Sequence, residues 1–265
     1  MSYGGWFVGL VGRDSHKNVE LRIAQHKVYH KRESSLHIAR EIVYGKIRNC
    51  ITILRRNHKE GAGSTLTELK RLASRVRRVR RIDTLMGLEG LAARAYFAEF
   101  AGMFRDGESE FNFTARNRRP PRDPINAILS FLYSMLTRET TVTISRVGLD
   151  PYLGYLHVPK YGRPALALDM IEEFRPLVAD SVCLSLINTG QLTAADFQKT
   201  QFGTNLTDAG RRKVITAYGN RMDATVMHPL LGYSASYRRV METQARLLSR
   251  HLLGEIPSYP SFRTK

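Results

Sequence analysis

The chain has 265 residues, 43% of them hydrophobic and 25% charged, enough for one large domain or two modest ones and too apolar for intrinsic disorder. Lys and Arg number 41 against 24 acids, a net charge of +17, and so large a surplus points to a polyanionic partner, nucleic acid before an anionic membrane. No apolar run reaches the roughly 18 residues of a membrane span, the first residues lack a signal-peptide layout, and Cys50 and Cys183 form neither a CxxC site nor a disulfide framework; the expected location is the cytoplasm.

Residues 1–18 read as the tail of a sheet, with Trp6, Val8 and Leu10 alternating with Phe7 and Gly9 before the turn residues Gly12 to Ser15. From about Val19 the period turns helical, and Leu36, Ala39, Val43, Ile47, Ile51 and Leu54 repeat at three- and four-residue intervals. Glu60 to Thr65 reads as a loop. The next helix carries Leu69, Leu72, Val76 and Val79 on one stripe and Lys70, Arg71, Arg75, Arg77, Arg78, Arg80 and Arg81 on the other. Such a run is ordinarily a solvated face, but the near absence of interspersed acids favours contact with phosphates. An apolar helix over Met86–Phe104 follows, then an Arg- and Asn-rich loop ending in Pro120-Pro121. Asp123 is placed to cap a helix that has Pro124 at its first position and runs through Ile128, Leu132 and Met135. Gly148 to Pro164, dense in Gly and Pro, is a loop; Pro164 opens a helix that Pro176 kinks or restarts. After Gly190 a polar connector leads to a last helix, from about Tyr237 to Leu253, and a Pro-rich tail. The expected fold class is mainly α: a helical domain over 19–265 behind a short β remnant over 1–18.

Four acid or imidazole residues, on three segments, stand out from their surroundings. Glu89 has Leu85, Ala92, Ala93 and Tyr96 as helical neighbours, so it is either a snorkelling carboxylate at a helix start or one that is paired, protonated or bound to metal. Asp169 and Glu172 lie three apart among Leu166, Leu168, Met170, Ile171, Phe174 and Leu177, so they share a face of a buried helix while Glu173 faces outward. Two like charges there call for a divalent cation, or for pairing with Arg175 or Arg163. His157, in the loop just ahead, is either incidental or a ligand. An acid, imidazole and acid set would favour Mg²⁺ or Mn²⁺ over zinc.

Four stretches carry a resemblance: GLEGLAARAYF around Glu89, FNFTARNRRPPRDPINAILSFLYSML from Phe111, GLDPYLGYLHVPKYGRPALALDMIEEFRPLVAD from Gly148, and the tail GEIPSYPSFR. In this order they resemble the CRISPR-associated integrase and endonuclease of spacer acquisition, the "Cas one" family, over most of 19–265. The resemblance implies a catalytic set of Glu89, His157, Asp169 and Glu172, with the metal on Glu89, His157 and Glu172 and Asp169 in support. It further implies transesterification of a DNA 3′-hydroxyl into a CRISPR repeat, hydrolysis when water replaces that hydroxyl, double-stranded and branched DNA as substrate, a homodimer, and a small ferredoxin-like companion subunit ("Cas two"). Members of the family usually begin with a complete β domain, of which this chain is expected to hold only the last strand or two, and often have Ser where Ala165 stands. Arg71, Arg75, Arg78, Arg81, Arg116, Arg118, Arg119, Arg163 and Arg175 are the candidate DNA-backbone contacts. The competing functions are a helical DNA-binding protein without catalysis and a transposon-encoded integrase with the same catalytic domain.

Overall fold

The computed structural model describes residues 17–58, 61–105, 111, 113–117 and 120–264; the expected β remnant over 1–18 lies almost wholly outside them, as do Arg118 and Arg119. The described chain is mainly helical, as the sequence patterning requires. Helix α1 (Val19–His30) starts where the Asn18 side chain accepts from Leu21 N at 3.0 Å. A break at Lys31 leads into α2 (Arg32–Asn57), the longest helix described, whose stripe Leu36, Ala39, Val43, Ile47, Ile51 and Leu54 is entirely buried. Helices α3 (Gly63–Val76) and α4 (Ile82–Ala98) pack on α2. Helix α5 (Pro124–Val147) is capped by Asp123, which accepts from Asn126 N at 2.8 Å, and ends on Gly148 at φ 99°, a left-handed stop that suits glycine.

Short helix α6 (Ala165–Ile171) passes through a turn into a π-helical segment, Arg175–Asp180, and then α7 (Ser181–Asn188). Pro176 lacks the N–H that would continue an α-helical ladder, and the wider turn accommodates it. The last part holds hairpin β1 (Phe197–Thr200) with β2 (Gly203–Leu206), helix α8 (Asp208–Asp223), hairpin β3 (Thr225–Met227) with β4 (Ser234–Ser236), and α9 (Tyr237–Leu252). The tail returns to the core, where Tyr259 and Phe262 are buried and Phe262 stacks on Phe174 with centroids 5.6 Å apart. Both cysteines are buried thiols.

Four expectations need correction. The connector after Gly190 contains a helix and two hairpins; α8 buries only the single row Gly210, Val214, Tyr218 and Met222, a stripe too narrow to dominate a polar sequence. The basic helix stops at Val76, so Arg77 to Arg81 leave it; a continued helix would stack Arg77 above Arg81, like charge on like charge. The Met86–Phe104 helix ends at Ala98 and gives way to a 3₁₀ turn, Ala101–Met103, where Gly102 passes so close to His58 that a Cβ would sit 2.3 Å from its Nε2. Finally, α3 takes in Gly63 to Thr65, which were expected in the loop.

Candidate metal and nucleic-acid site

The site is assembled around the loop between α5 and α6. Gln25 of α1, fully buried, holds that loop from beneath: its amide donates to the carbonyls of Asp150 (2.9 Å) and Leu153 (3.2 Å) and accepts from Asp150 N (2.8 Å). Gly154 lies so close to α6 that a Cβ there would meet the Ala165 carbonyl carbon at 2.7 Å. This approach lets Asp169, fully buried on α6, accept from the backbone of Tyr155 (2.5 Å), Leu156 (2.9 Å) and His157 (2.9 Å), and from His157 Nδ1 at 2.7 Å. A carboxylate only accepts, so Nδ1 carries a proton and the ring is held in one orientation.

Asp169 and Glu172 turn to different partners, although their spacing gives them a common face. Asp169 spends both oxygens on the His157 loop. Glu172, 2% exposed, turns to Arg175 and Lys46: Arg175 Nη1 lies 2.8 Å from Oε1, and Lys46 Nζ lies 2.6 Å from Oε2. Burial pushes the Glu172 carboxyl up, but Arg175, then Lys46 and His157, outweigh it and hold it well below the usual carboxylate range. Lys46 also pairs with Glu89 of α4, whose carboxylate is a quarter exposed. One ammonium thus sits between the two acids that sequence reasoning assigned to a metal. Sequence reasoning missed Lys46. The signal was present, because Lys46 and Asn49 interrupt a buried row of α2 formed by Ile38, Ile42 and Ile53.

Glu173 does not face outward. It points to the opposite side of the chain from Glu172 but is fully buried there, accepting from Tyr259 Oη (2.8 Å), Phe262 N (2.6 Å) and Gln244 Nε2 (3.1 Å). The tail is fastened further by Asn49, whose amide donates to the carbonyls of Glu173 (2.8 Å) and Phe262 (2.9 Å). The segment that carries Glu172 and Glu173 is thus braced from behind by the C-terminal tail.

The candidate DNA contacts divide into two groups. Arg71, Arg75, Arg78 and Arg81 are exposed on and after α3; Arg71 is shared with Glu68 at 2.7 Å and Arg81 with Asp83 at 3.4 Å. Arg163 is half-buried in the turn that pairs it with Lys160. Arg175 and Arg116 are not surface contacts but turn inward, their guanidiniums 4.8 and 5.3 Å from the ring centroid of Tyr133. Arg116 also donates to Asn126 Oδ1 at 2.6 Å, and Tyr133 donates to Asp180 Oδ1 at 2.7 Å. Burial pushes the Asp180 carboxyl up to about 6, with the Tyr133 hydroxyl opposing the rise.

As they stand, no three His, Cys, Asp or Glu side chains among the described residues converge closely enough to grip a metal. The donor chemistry nevertheless fits a hard divalent ion: two carboxylates, an imidazole that Asp169 holds by Nδ1, and a buried Glu172 Oε2 that has an ion-pair contact but no well-directed hydrogen bond. The space between the acids already holds a positive charge. No helix among the described residues is long and apolar enough to cross a membrane.

Residues 1–220 match the family model described as CRISPR associated protein Cas1. A Cas4 exonuclease/Cas1 endonuclease fusion of Geobacter sulfurreducens is 48% identical over 275 aligned positions, covering 100% of this chain and 49% of the fusion. A Cas1 protein structure from Thermotoga maritima superimposes with a TM-score of 0.79 at 30% identity, covering 88% of this chain and 70% of that one. A chain of a Cas6-RT-Cas1–Cas2 complex superimposes with a TM-score of 0.81 at 26% identity, covering 98% of this chain and 28% of that one. The chain spans about half the length of the two fusion relatives that it matches.

Proposed function

Because this chain belongs to the CRISPR-associated Cas1 family, we propose that it is a DNA integrase and endonuclease whose Glu89, His157 and Glu172 hold Mg²⁺ or Mn²⁺. The carrying observation is the pairing of Glu89 and Glu172 about one buried cation position, with His157 oriented beside them by Asp169. The reaction proposed is attack of a DNA 3′-hydroxyl on a phosphodiester at the edge of a CRISPR repeat; with water as attacking group the same site cleaves DNA. A divalent ion bound there supplies Lewis-acid polarisation of the phosphoryl group and lowers the pKa of the attacking hydroxyl. The protein's own share is orientation and charge. Asp169 keeps the proton on Nδ1, so His157 offers Nε2 as a neutral ligand. Arg175, stacked on Tyr133, keeps Glu172 ionised through Oε1, so that Glu172 would meet an ion as a carboxylate. The exposed arginines of α3 and the stretch after it position backbone phosphates with little regard to base.

The same reading takes duplex and branched DNA as substrates, a second copy of the chain as dimer partner, and a small companion subunit such as the Cas2 named in the complex above. Its test is strand joining of a short duplex into a repeat-bearing plasmid. Glu89→Ala and His157→Ala are expected to abolish joining and cleavage while leaving DNA affinity largely intact; wild-type joining by either variant defeats the assignment. A DNA-binding chain without catalysis is the competing reading, favoured by a lysine already seated between the acids. Metal-dependent cleavage of branched DNA by the purified protein separates the two.

A further inference from the structure

Lys46 stands on a row of α2 that is otherwise built for packing, with Ile38, Ile42 and Ile53 buried at helical spacing. An ammonium placed there loses most of its hydration, which is tolerable only where partners replace the water. Here the partners are two carboxylates, Glu89 and Glu172, each in ion-pair contact with the Lys46 ammonium. Its partners come from two separate elements, α4 and the end of α6. Arg175 already neutralises Glu172 through Oε1, so the second cation answers to the pair of acids and not to Glu172 alone. A divalent ion such as Mg²⁺ approaches carboxylate oxygens to roughly 2.0–2.1 Å. An ion shared by Glu89 and Glu172 needs the place between their oxygens that Lys46 Nζ now fills, so loading there displaces the ammonium.

We propose that Lys46 is a resident counter-cation that makes metal loading conditional on DNA. The inference rests on the assignment of the metal to Glu89, His157 and Glu172. The incoming ion displaces the ammonium, and the displaced ammonium then needs an anion, which a backbone phosphate seated at the site supplies. Without DNA, loading strands a positive charge in a largely buried position beside a divalent ion; with DNA it does not. Lysine suits this exchange because its stem is flexible and its charge compact, whereas Arg175 is fixed by stacking on Tyr133. Lys46 is thus a positioning residue acting through the metal ligands. The coupling is reciprocal, so metal tightens DNA binding by the same factor as DNA tightens metal binding.

The test is a Mn²⁺ titration followed by the paramagnetic resonance of the free ion, on the full chain, with and without a short duplex. Wild type is expected to bind Mn²⁺ about tenfold more tightly when duplex is present. Lys46→Met is expected to bind it without DNA about as tightly as wild type does with DNA, and duplex is expected to add no more than roughly twofold. Two results overturn the proposal: Lys46→Met binding no tighter than wild type in the absence of DNA, or duplex strengthening both proteins equally, which is the general attraction of a polyanion for cations. Glu89→Ala reports separately on the underlying assignment. If it keeps wild-type Mn²⁺ affinity, the metal site is wrong; if it loses binding while Lys46→Met behaves as wild type, the site stands and the coupling fails. Should Lys46→Met not fold, Lys46→Gln, whose amide can still donate to both carboxylates without charge, carries the same expectations.

Discussion

Glu173 is fully buried, and among the described residues no Lys or Arg forms an ion pair with it. Burial pushes its carboxyl from 4.5 up to about 8, with the bonds from Phe262, Tyr259 and Gln244 opposing that rise. The sign follows from proton counting. Between those two values the folded chain holds a proton that the unfolded chain has lost, so stability falls as pH rises. Below the lower value both states are protonated and nothing is lost; above the upper one the folded state bears the whole cost of a buried charge. At ~1.4 kcal/mol per unit, the shift amounts to as much as about 5 kcal/mol across the window, a large part of the net stability of an ordinary domain. Glu173→Gln copies the protonated shape: its carbonyl can accept from Phe262 N and Gln244, and its amide can donate to the Tyr259 oxygen. Urea unfolding from about pH 5 to about pH 9 should show the two proteins within ~1 kcal/mol at the acid end. The glutamine variant should then be progressively more stable than wild type as pH rises, by several kcal/mol at the alkaline end. Parallel stability profiles for the two proteins would refute the reasoning.

Three further outcomes follow from the site. Asp169→Asn removes one acceptor from a carboxylate that holds three backbone N–H groups and His157 Nδ1; Mn²⁺ affinity should fall about 10- to 100-fold, and the amides of Tyr155 to His157 should exchange faster with deuterium. Gly154→Ala drives a Cβ into the Ala165 carbonyl, so the loop must lift off α6; a loss of ~1–3 kcal/mol in thermal unfolding is expected, and unchanged stability would mean the close approach is not required. Replacing Arg75, Arg78 and Arg81 together by Gln should weaken DNA binding alike for unrelated duplex sequences and flatten its salt dependence by about one unit of log–log slope for each phosphate no longer neutralised. A slope equal to that of wild type would place the phosphate path elsewhere.

What was legible in the sequence was whatever repeats along one element. The buried stripe of α2, the Asp123–Pro124 start of α5 and the Pro164 break before α6 were all readable, because each depends on residues within a few positions of one another. The helix α8 was not, since its buried face is one row wide and its cap, Thr207, whose hydroxyl accepts from Gly210 N at 3.2 Å, looks in sequence like any other polar residue. Within the site, resemblance together with burial singled out Glu89, His157, Asp169 and Glu172. What each carboxylate touches was not readable, because it depends on contacts across the fold: Asp169 reaches back to the loop, Glu173 to a tail 86 to 89 positions away, and Lys46 to acids on two other elements. Spacing on a helix gave Asp169 and Glu172 a common face. Only the loop drawn in by Gly154 and the lysine from α2 show that they serve different partners.

The two buried thiols make this chain convenient to study. The thiolate is the form that reacts with alkylating reagents, and burial pushes both Cys50 and Cys183 well above their ordinary value. A maleimide at neutral pH should therefore pass both by, with no need to mutate them away. Leu91, 47% exposed and two residues beyond Glu89 on α4, offers a place for one introduced cysteine. A nitroxide attached there would broaden when Mn²⁺ arrives nearby, giving a spectroscopic record of metal loading, with and without DNA, in a protein whose own cysteines stay silent.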